Sequence, residues 1–176
     1  MYENVPLTAV VNKMLCVLPE EPMTPRLADS RLGVTTQLKS DFVGAGQEVK
    51  NIRYAKRWRI EPSDSAAYRR GELVEPKKQL VFYIDSLLPV KWHPYVKAGA
   101  ESWNKAFEKI GFKNVICVKE FPENDTLFNA HSLDCMTIRY SASWMNTAQT
   151  TLHSDARTGE ILNASILINA NLISVQ

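Results

Sequence analysis

The sequence predicts an α/β fold, in which a twisted mixed sheet of about four to five strands is backed by one long helix. Three observations carry this prediction. A β-branched and aromatic segment, Leu80–Ile84, reads as a strand. Apolar residues at helical spacing follow it, and further strand patterns follow the helix. Because strand, helix and strand succeed one another, we expect a right-handed parallel crossover between the first two strands.

The N-terminal part of the chain is less regular. Residues 10–18 predict a short strand. Residues 19–33 contain three prolines and many polar side chains, so they should form an irregular arm on the surface. Residues 49–60 alternate weakly in polarity and predict one strand, whereas Ser65–Arg69 predicts a helical turn.

One long helix is predicted over residues 89–110, and Pro94 fits it only if the regular hydrogen-bond ladder starts late or bends there. Pro89 fits a first helical turn, where a missing N–H costs nothing, and Gly111 supplies the left-handed residue that ends a helix. Glu101 and Lys105 are spaced for a favourable ion pair on the outer face. Apolar side chains spaced three or four apart define the core face: Trp92, Val96, Ala100, Trp103, Phe107 and Ile110.

Three strand patterns follow the helix. They cover residues 115–118, 136–140 and 161–168, each rich in β-branched residues. A turn-rich connection, residues 154–159, precedes the last of them. In that connection Asp155 is expected to bond its own backbone, and Gly159 is expected to take a positive φ angle.

Composition excludes several classes of protein. The 176 residues are 45% hydrophobic and 23% charged, as in ordinary globular domains, and the net charge is only +2. This charge gives no reason to expect a nucleic-acid partner. No apolar run reaches the ~18 residues needed to span a bilayer. The three cysteines form no pairing pattern, which argues against a disulfide scaffold.

No catalytic motif and no metal-binding motif is present, so we predict neither catalytic residues nor metal ligands within this chain. His93, His131 and His153 are not spaced as a metal-binding pair, and each is interpreted as structural, with His153 the nearest to a functional position. Four acidic residues are likewise interpreted as turn or solvated groups: Glu72, Glu75, Asp85 and Asp155.

Six segments nevertheless resemble a known family when read in order. They are EPMTPRLADSRLG, RWRIEP, AYRRGELVEPKKQLVFYID, KWHPYVKAGAESWNKAFEKIGFKNVI, IRYSAS and SDARTGEIL. Over about residues 18–162 the chain resembles the Bacteroidetes-type zinc-dependent metalloproteases, whose catalytic domain is similar to metzincins. The resemblance implies a secreted or periplasmic parent protein that hydrolyses peptide or protein substrates with zinc-activated water.

The resemblance also implies a division of the chain and a site. Residues 1–75 would be an N-terminal arm with extra strands, and residues 76–176 would be the N-terminal subdomain of the catalytic domain. In such domains the fourth strand is an antiparallel edge that holds extended substrate, and here residues 144–153 match it. The substrate-binding residues implied are Trp144, Asn146, Thr150, Thr151 and Leu152.

In that family zinc is held on a further helix by His-Glu-x-x-His, which this sequence lacks. We therefore expect the chain alone to be inactive and to bind no cofactor. Either the chain stops before the active-site helix, which we favour, or it is a natural remnant that lost it. The alternative function is a non-catalytic module that binds peptides or a partner at the same sheet edge. In either case an exposed core face would favour a homodimer.

Overall fold

The structure, a computed structural model, describes residues 8–9, 11, 13–42, 49–122 and 132–174. Two short 3-10 turns, Ser30–Leu32 and Val90–Trp92, accompany the regular elements. The strands and helices are β1 (Thr36–Asp41), β2 (Lys50–Ala55), α1 (Ser65–Arg69), β3 (Leu80–Ile84), α2 (His93–Glu101), α3 (Asn104–Glu108), β4 (Ile116–Glu120), β5 (Met136–Ser141), β6 (Ala148–Ser154), β7 (Ile161–Asn169) and α4 (Ala170–Ser174).

Five strands form a mixed sheet in the order β4-β3-β5-β7-β6. The pairs β3–β4, β3–β5 and β5–β7 are parallel, whereas β6 runs antiparallel to β7. β1 and β2 form a separate antiparallel ribbon. The predicted α/β class with a mixed sheet is confirmed, and so is the parallel pairing of the two strands that flank the helices.

The core lies on the face of the sheet that the helices cover. In β3 the alternate residues Leu80, Phe82 and Ile84 are buried, as expected for a strand with one face in the core. Neighbouring strands add Val118 and Ile138 to the same cluster. From the helical region, Trp92, Val96, Ala100 and Phe107 pack against it while remaining partly exposed.

The prediction of one long helix is wrong. The helical region starts as a 3-10 turn and then divides into α2 and α3, which are separated at Ser102 and Trp103. Ser102 Oγ donates a hydrogen bond to the Gly99 carbonyl at 2.6 Å. Trp103 and Ile110 lie outside the core, with 66% and 56% of their surface exposed, whereas Phe107, which also follows the break, packs against it.

The charged face of this region also differs from expectation. Glu101 does not pair with Lys105, because its carboxylate accepts a hydrogen bond from the Val118 N–H of β4 at 3.1 Å. The prediction that a glycine ends the helical region is confirmed, since Gly111 has a φ angle of 90°.

In the N-terminal part, the strand predicted over residues 10–18 is not formed by the described residues 11 and 13–18, because no neighbouring strand offers them a ladder. Residues 10 and 12 lie outside the described part of the chain. Strand β1 was not predicted. β2 is shorter than the predicted strand over 49–60, since Arg57 leaves the ribbon and bridges to Glu160. The predicted helical turn is confirmed as α1.

Candidate functional site

The two edges of the five-stranded sheet are β4 and β6, and they differ in how their backbone groups are satisfied. At β4, the Asn104 side chain donates to the Ile116 carbonyl at 2.9 Å and accepts from the Ile116 N–H at 2.8 Å. The Glu101 carboxylate accepts a hydrogen bond from the Val118 N–H. Side chains of α2 and α3 therefore close this edge to another strand at Ile116 and Val118.

At the far end of β4, a histidine contacts the side chain of Glu120. His93 Nδ1 lies 2.8 Å from Glu120 Oε2, and its Nε2 lies 2.9 Å from the Leu88 carbonyl oxygen. Both ring nitrogens thus face oxygen acceptors, which leaves neither one free to bind a metal ion in this arrangement. The structural interpretation of His93 agrees with these contacts.

The edge at β6 is open. Within the described residues, β6 pairs only with β7, so its other side presents unpaired N–H and C=O groups. Its sequence, AQTTLHS, contains no Lys, Arg, Asp or Glu, and Thr150 and Thr151 are exposed. Leu152 is half-buried and packs against the core, which fixes the strand to the body of the domain.

A short loop leads into this strand and is fixed by two asparagines. Asn169, which is buried at the end of β7, donates to the Thr147 carbonyl at 2.6 Å. Asn171, in α4, donates to the Trp144 carbonyl at 2.8 Å. The two asparagines thus hold the backbone of the loop, while 82% of the surface of Trp144 is exposed.

The structure therefore brings the five implied substrate-binding residues to one border of the sheet. Thr150, Thr151 and Leu152 lie on β6, and Trp144 and Asn146 lie in the loop before it. Sequence reasoning missed Asn169 and Asn171. The signal was present, since two asparagines directly after an apolar strand are suited to bonding nearby backbone groups.

Shifted pKa values occur away from this edge, in the turn before β7. The Asp155 carboxylate is fully buried and accepts from the Arg157 N–H and guanidinium at 2.7–3.1 Å. These bonds hold the pKa of Asp155 below its usual range and raise the pKa of Arg157. Burial lowers the pKa of Arg57, which lies nearby. As predicted, Asp155 bonds the backbone of its own turn and Gly159 has a positive φ angle of 78°.

The other candidate acids have structural partners. Glu72 pairs with Arg70 at 2.6 Å, Glu75 accepts from the Asn114 amide at 2.9 Å, and Asp85 accepts from the Leu87 N–H at 3.1 Å. Among the residues that the structure describes, no three His, Cys, Asp or Glu side chains lie close enough together to hold a metal ion. His153 is exposed on β6, and His131 lies outside the described residues.

The N-terminal part of the chain is similar to a known family. A family model described as a domain of unknown function (DUF5117) matches residues 1–63, which include the arm and the β1–β2 ribbon but not the five-stranded sheet. No curated protein and no solved structure matches the chain. In the described part of the chain, no helix combines the length and apolar character that crossing a membrane requires.

Proposed function

We propose that this chain is the substrate-holding part of a zinc-dependent metallopeptidase, and that an extended peptide substrate binds along β6. The observation that carries this proposal is the difference between the two sheet edges. β4 is closed by Asn104 and Glu101, whereas β6 has no strand partner on its outer side within the described residues. An edge of this kind binds an extended peptide by adding it to the sheet as a further strand.

The peptidase assignment is supported by the resemblance of the six sequence segments and by the position of β6. The resemblance implies that the fourth strand after the arm region is an antiparallel edge. β6 is the fourth strand counted from β3, and it lies at the edge, antiparallel to β7. Trp144 lies at the entrance to the strand, where an apolar side chain of a bound peptide would meet it.

The residues that the structure describes do not fit a zinc site. The ring nitrogens of His93 face Leu88 and Glu120, and no group of three donor side chains is assembled among the described residues. In the proposed peptidase, the zinc ligands and the catalytic carboxylate belong to polypeptide outside these 176 residues. The role of this chain is to align the substrate backbone.

Peptide binding is tested by titrating the isotope-labelled chain with an uncharged hexapeptide of alternating threonine and valine, and following its amide resonances by NMR. We expect shift changes over residues 148–154 and in the loop that carries Trp144. Strand β4 is the internal control, because its edge is closed. Changes that are centred on β4, or absent from β6, contradict the proposal.

Two variants, each with one proline substituted at a neighbouring position of β6, make this test more specific. Successive residues of an edge strand direct their N–H groups alternately toward the partner strand and toward solvent. Of Thr150→Pro and Thr151→Pro, one therefore removes an outward donor and the other removes a ladder bond. We expect one variant to keep the melting temperature of the wild type but lose peptide binding, and the other to lose stability. Undiminished binding by both variants contradicts strand addition.

The peptidase assignment is tested separately. The purified chain, titrated with zinc in a calorimeter, should show no submicromolar site of unit stoichiometry. The reading frame beyond Gln176 should encode His-Glu-x-x-His. A stop codon there, together with peptide binding at β6, favours instead a non-catalytic peptide-binding module.

A homodimer through the exposed apolar residues of the sheet and helices is a further proposal, which sedimentation over a range of concentrations would test.

A further inference from the structure

The arm contains a segment with a regular proline spacing. Pro19, Pro22 and Pro25 follow one another at every third residue. This spacing suits a polyproline II conformation, which has three residues per turn and leaves its carbonyl groups free of internal hydrogen bonds. Between residues 19 and 25 the described arm belongs to no strand, so its carbonyl groups are available to side chains.

Three arginines, here called the arginine row, contact this segment. Arg157 Nη2 donates to the Pro19 carbonyl at 2.9 Å, and Arg59 Nη2 donates to the Glu21 carbonyl at 2.8 Å. Arg57 donates to the Thr24 carbonyl. The row therefore binds main-chain oxygens of a segment that bends at Glu20 and Glu21, and a second chain of the same sequence offers the same groups.

The arginine row is held in place by the body of the domain and not by the arm. The fully buried Asp155 fixes Arg157 at 2.7 Å, and Glu160, with 7% of its side chain exposed, fixes Arg59 at 2.7 Å. The backbone of Arg57 exchanges hydrogen bonds with Gly159 and Ile161. Because these anchors remain if the arm leaves, the row is a preformed binding site.

The arm itself is loosely packed. A groove of about 690 Å³ is lined by Cys16, Val17 and Trp58 among others. A second cavity, of about 520 Å³, is lined by residues 21–26 of the arm and residues 57–61 of the body. Leu15 and Val17 expose more than nine-tenths of their surface. Few buried contacts oppose release of the arm, and its apolar side chains are open to a covering chain.

We propose that the arginine row is a docking site for a proline-spaced segment, and that it exchanges its own arm for the arm of a second copy of this chain. A second copy carries the segment that already occupies the site, so every arginine–carbonyl contact is formed again after exchange. The arm rejoins the fold at Arg26 and Ala28, which bond to β2. Residues 13–25 can therefore leave as one unit without breaking a strand.

The expected concentration dependence follows from this identity of contacts. Since the tethered and the exchanged arm make the same bonds, exchange should become prominent as protein concentration approaches the effective concentration of the tethered arm, about 1 mM for a short linker. Dilute protein should hold its own arm.

Crosslinking tests the exchange. Cys16 on the arm and Lys78 on the body line the same groove. The full chain carrying Lys78→Cys is treated with a bismaleimide at rising concentrations, and the wild-type chain gives the background from Cys117 and Cys135. We expect an intrachain product in dilute protein and an interchain product that becomes the main one near millimolar concentration. Intrachain product alone at every concentration, or no product, overturns the proposal.

A peptide in trans provides the second measurement. The arginines are not substituted in this test, because removing Arg59 would leave the buried Glu160 without its partner. The synthetic segment LPEEPMTPR, added in excess, should compete for the row and abolish the interchain product. A peptide of the same composition with its three prolines adjacent should not. If neither peptide, or both equally, reduces the interchain product, docking at the arginine row is disproved.

Discussion

At the scale of single residues, Asp155 organises the turn that joins β6 to β7. Its side chain is fully buried, yet it lies beside the guanidinium of Arg157 and accepts hydrogen bonds from the backbone of its own turn. A buried carboxylate is costly unless it is paired, and this pairing offsets the cost. The same pair holds Arg157 against the arm, so a local charge pair also fixes a distant segment.

The pKa of Asp155 predicts how its contribution depends on pH. Because the bonds from Arg157 lower that pKa in the folded state, ionisation favours folding. This stabilisation is complete above the unfolded pKa, about 3.9, and is lost as pH falls through the folded value. Asp155→Asn should reduce the free energy of unfolding by about 1–3 kcal/mol at pH 7, with a smaller difference from wild type at pH 3. Urea denaturation at the two pH values measures it.

The control for this prediction is Asp29→Asn. Asp29 and Arg31 have the same sequence spacing as Asp155 and Arg157, but their side chains are 36% and 86% exposed. Solvent screens such a pair, so its removal should leave stability unchanged at both pH values. A loss for Asp155→Asn that is equal at pH 7 and pH 3 would show that its charge is not involved.

At the scale of elements, the break between α2 and α3 explains why one edge of the sheet is closed to a further strand and the other is open. The break lets Asn104 turn toward β4, where its amide bonds both backbone groups of Ile116. An unbroken helix would have continued the apolar face through Trp103. The cost of the break is the exposure of Trp103, and its consequence is that β4 cannot recruit another strand.

Substitution of Asn104 by alanine tests this function of the helix break. The variant leaves the N–H and C=O groups of Ile116 unpaired, which should lower the free energy of unfolding by about 1–3 kcal/mol. It should also self-associate through β4, as light scattering during size-exclusion chromatography would show. Lys105→Ala, at the exposed neighbouring position, should change stability by less than about 0.5 kcal/mol. A monomeric Asn104→Ala variant would mean that β4 is closed by other groups.

At the scale of the whole molecule, the β1–β2 ribbon docks on the sheet at a few defined points. Ser154 Oγ, at the end of β6, donates to Gln37 Oε1 of β1 at 3.0 Å. Gly159 comes so close to the end of β2 that a Cβ atom there would lie 2.7 Å from the Ala55 carbonyl oxygen. The ribbon and the sheet are therefore joined through the same turn that Asp155 and Arg157 organise.

Gly159→Ala should separate the ribbon from the sheet. Its positive φ angle costs an alanine about 1–2 kcal/mol, and the contact with Ala55 adds to this. Gly71→Ala is the matched control, because Gly71 has a similar φ angle of 82° and no atom within 4 Å of the added carbon. We expect the larger loss of stability for Gly159→Ala, together with faster hydrogen exchange in β1 and β2. Equal losses and unchanged exchange would contradict this docking.

Prediction from sequence succeeded for the segments whose neighbours along the chain set their structure. Leu80–Ile84 alternates in burial as its residue pattern requires, and Asp64 caps α1 through the N–H groups of Ala66 and Ala67. It failed where distant residues intervene. The break at Ser102 and Trp103 was not predicted, because Asn104, which follows it, finds its partner on β4 at Ile116, twelve residues further along the chain. β1 was missed because its stability depends on pairing with β2.

The sequence by itself determined the class of the fold, the position of most strands of the sheet and the absence of a His-Glu-x-x-His pair, since periodicity and motifs are local properties. Only the tertiary structure decided the order of the strands, which edge stays open and which arginines meet the arm. Those features depend on pairings between residues far apart in the chain, such as Arg59 with Glu160 or Arg157 with Pro19. Local pattern cannot encode such pairings, because each becomes favourable only once the rest of the fold has brought its partners together.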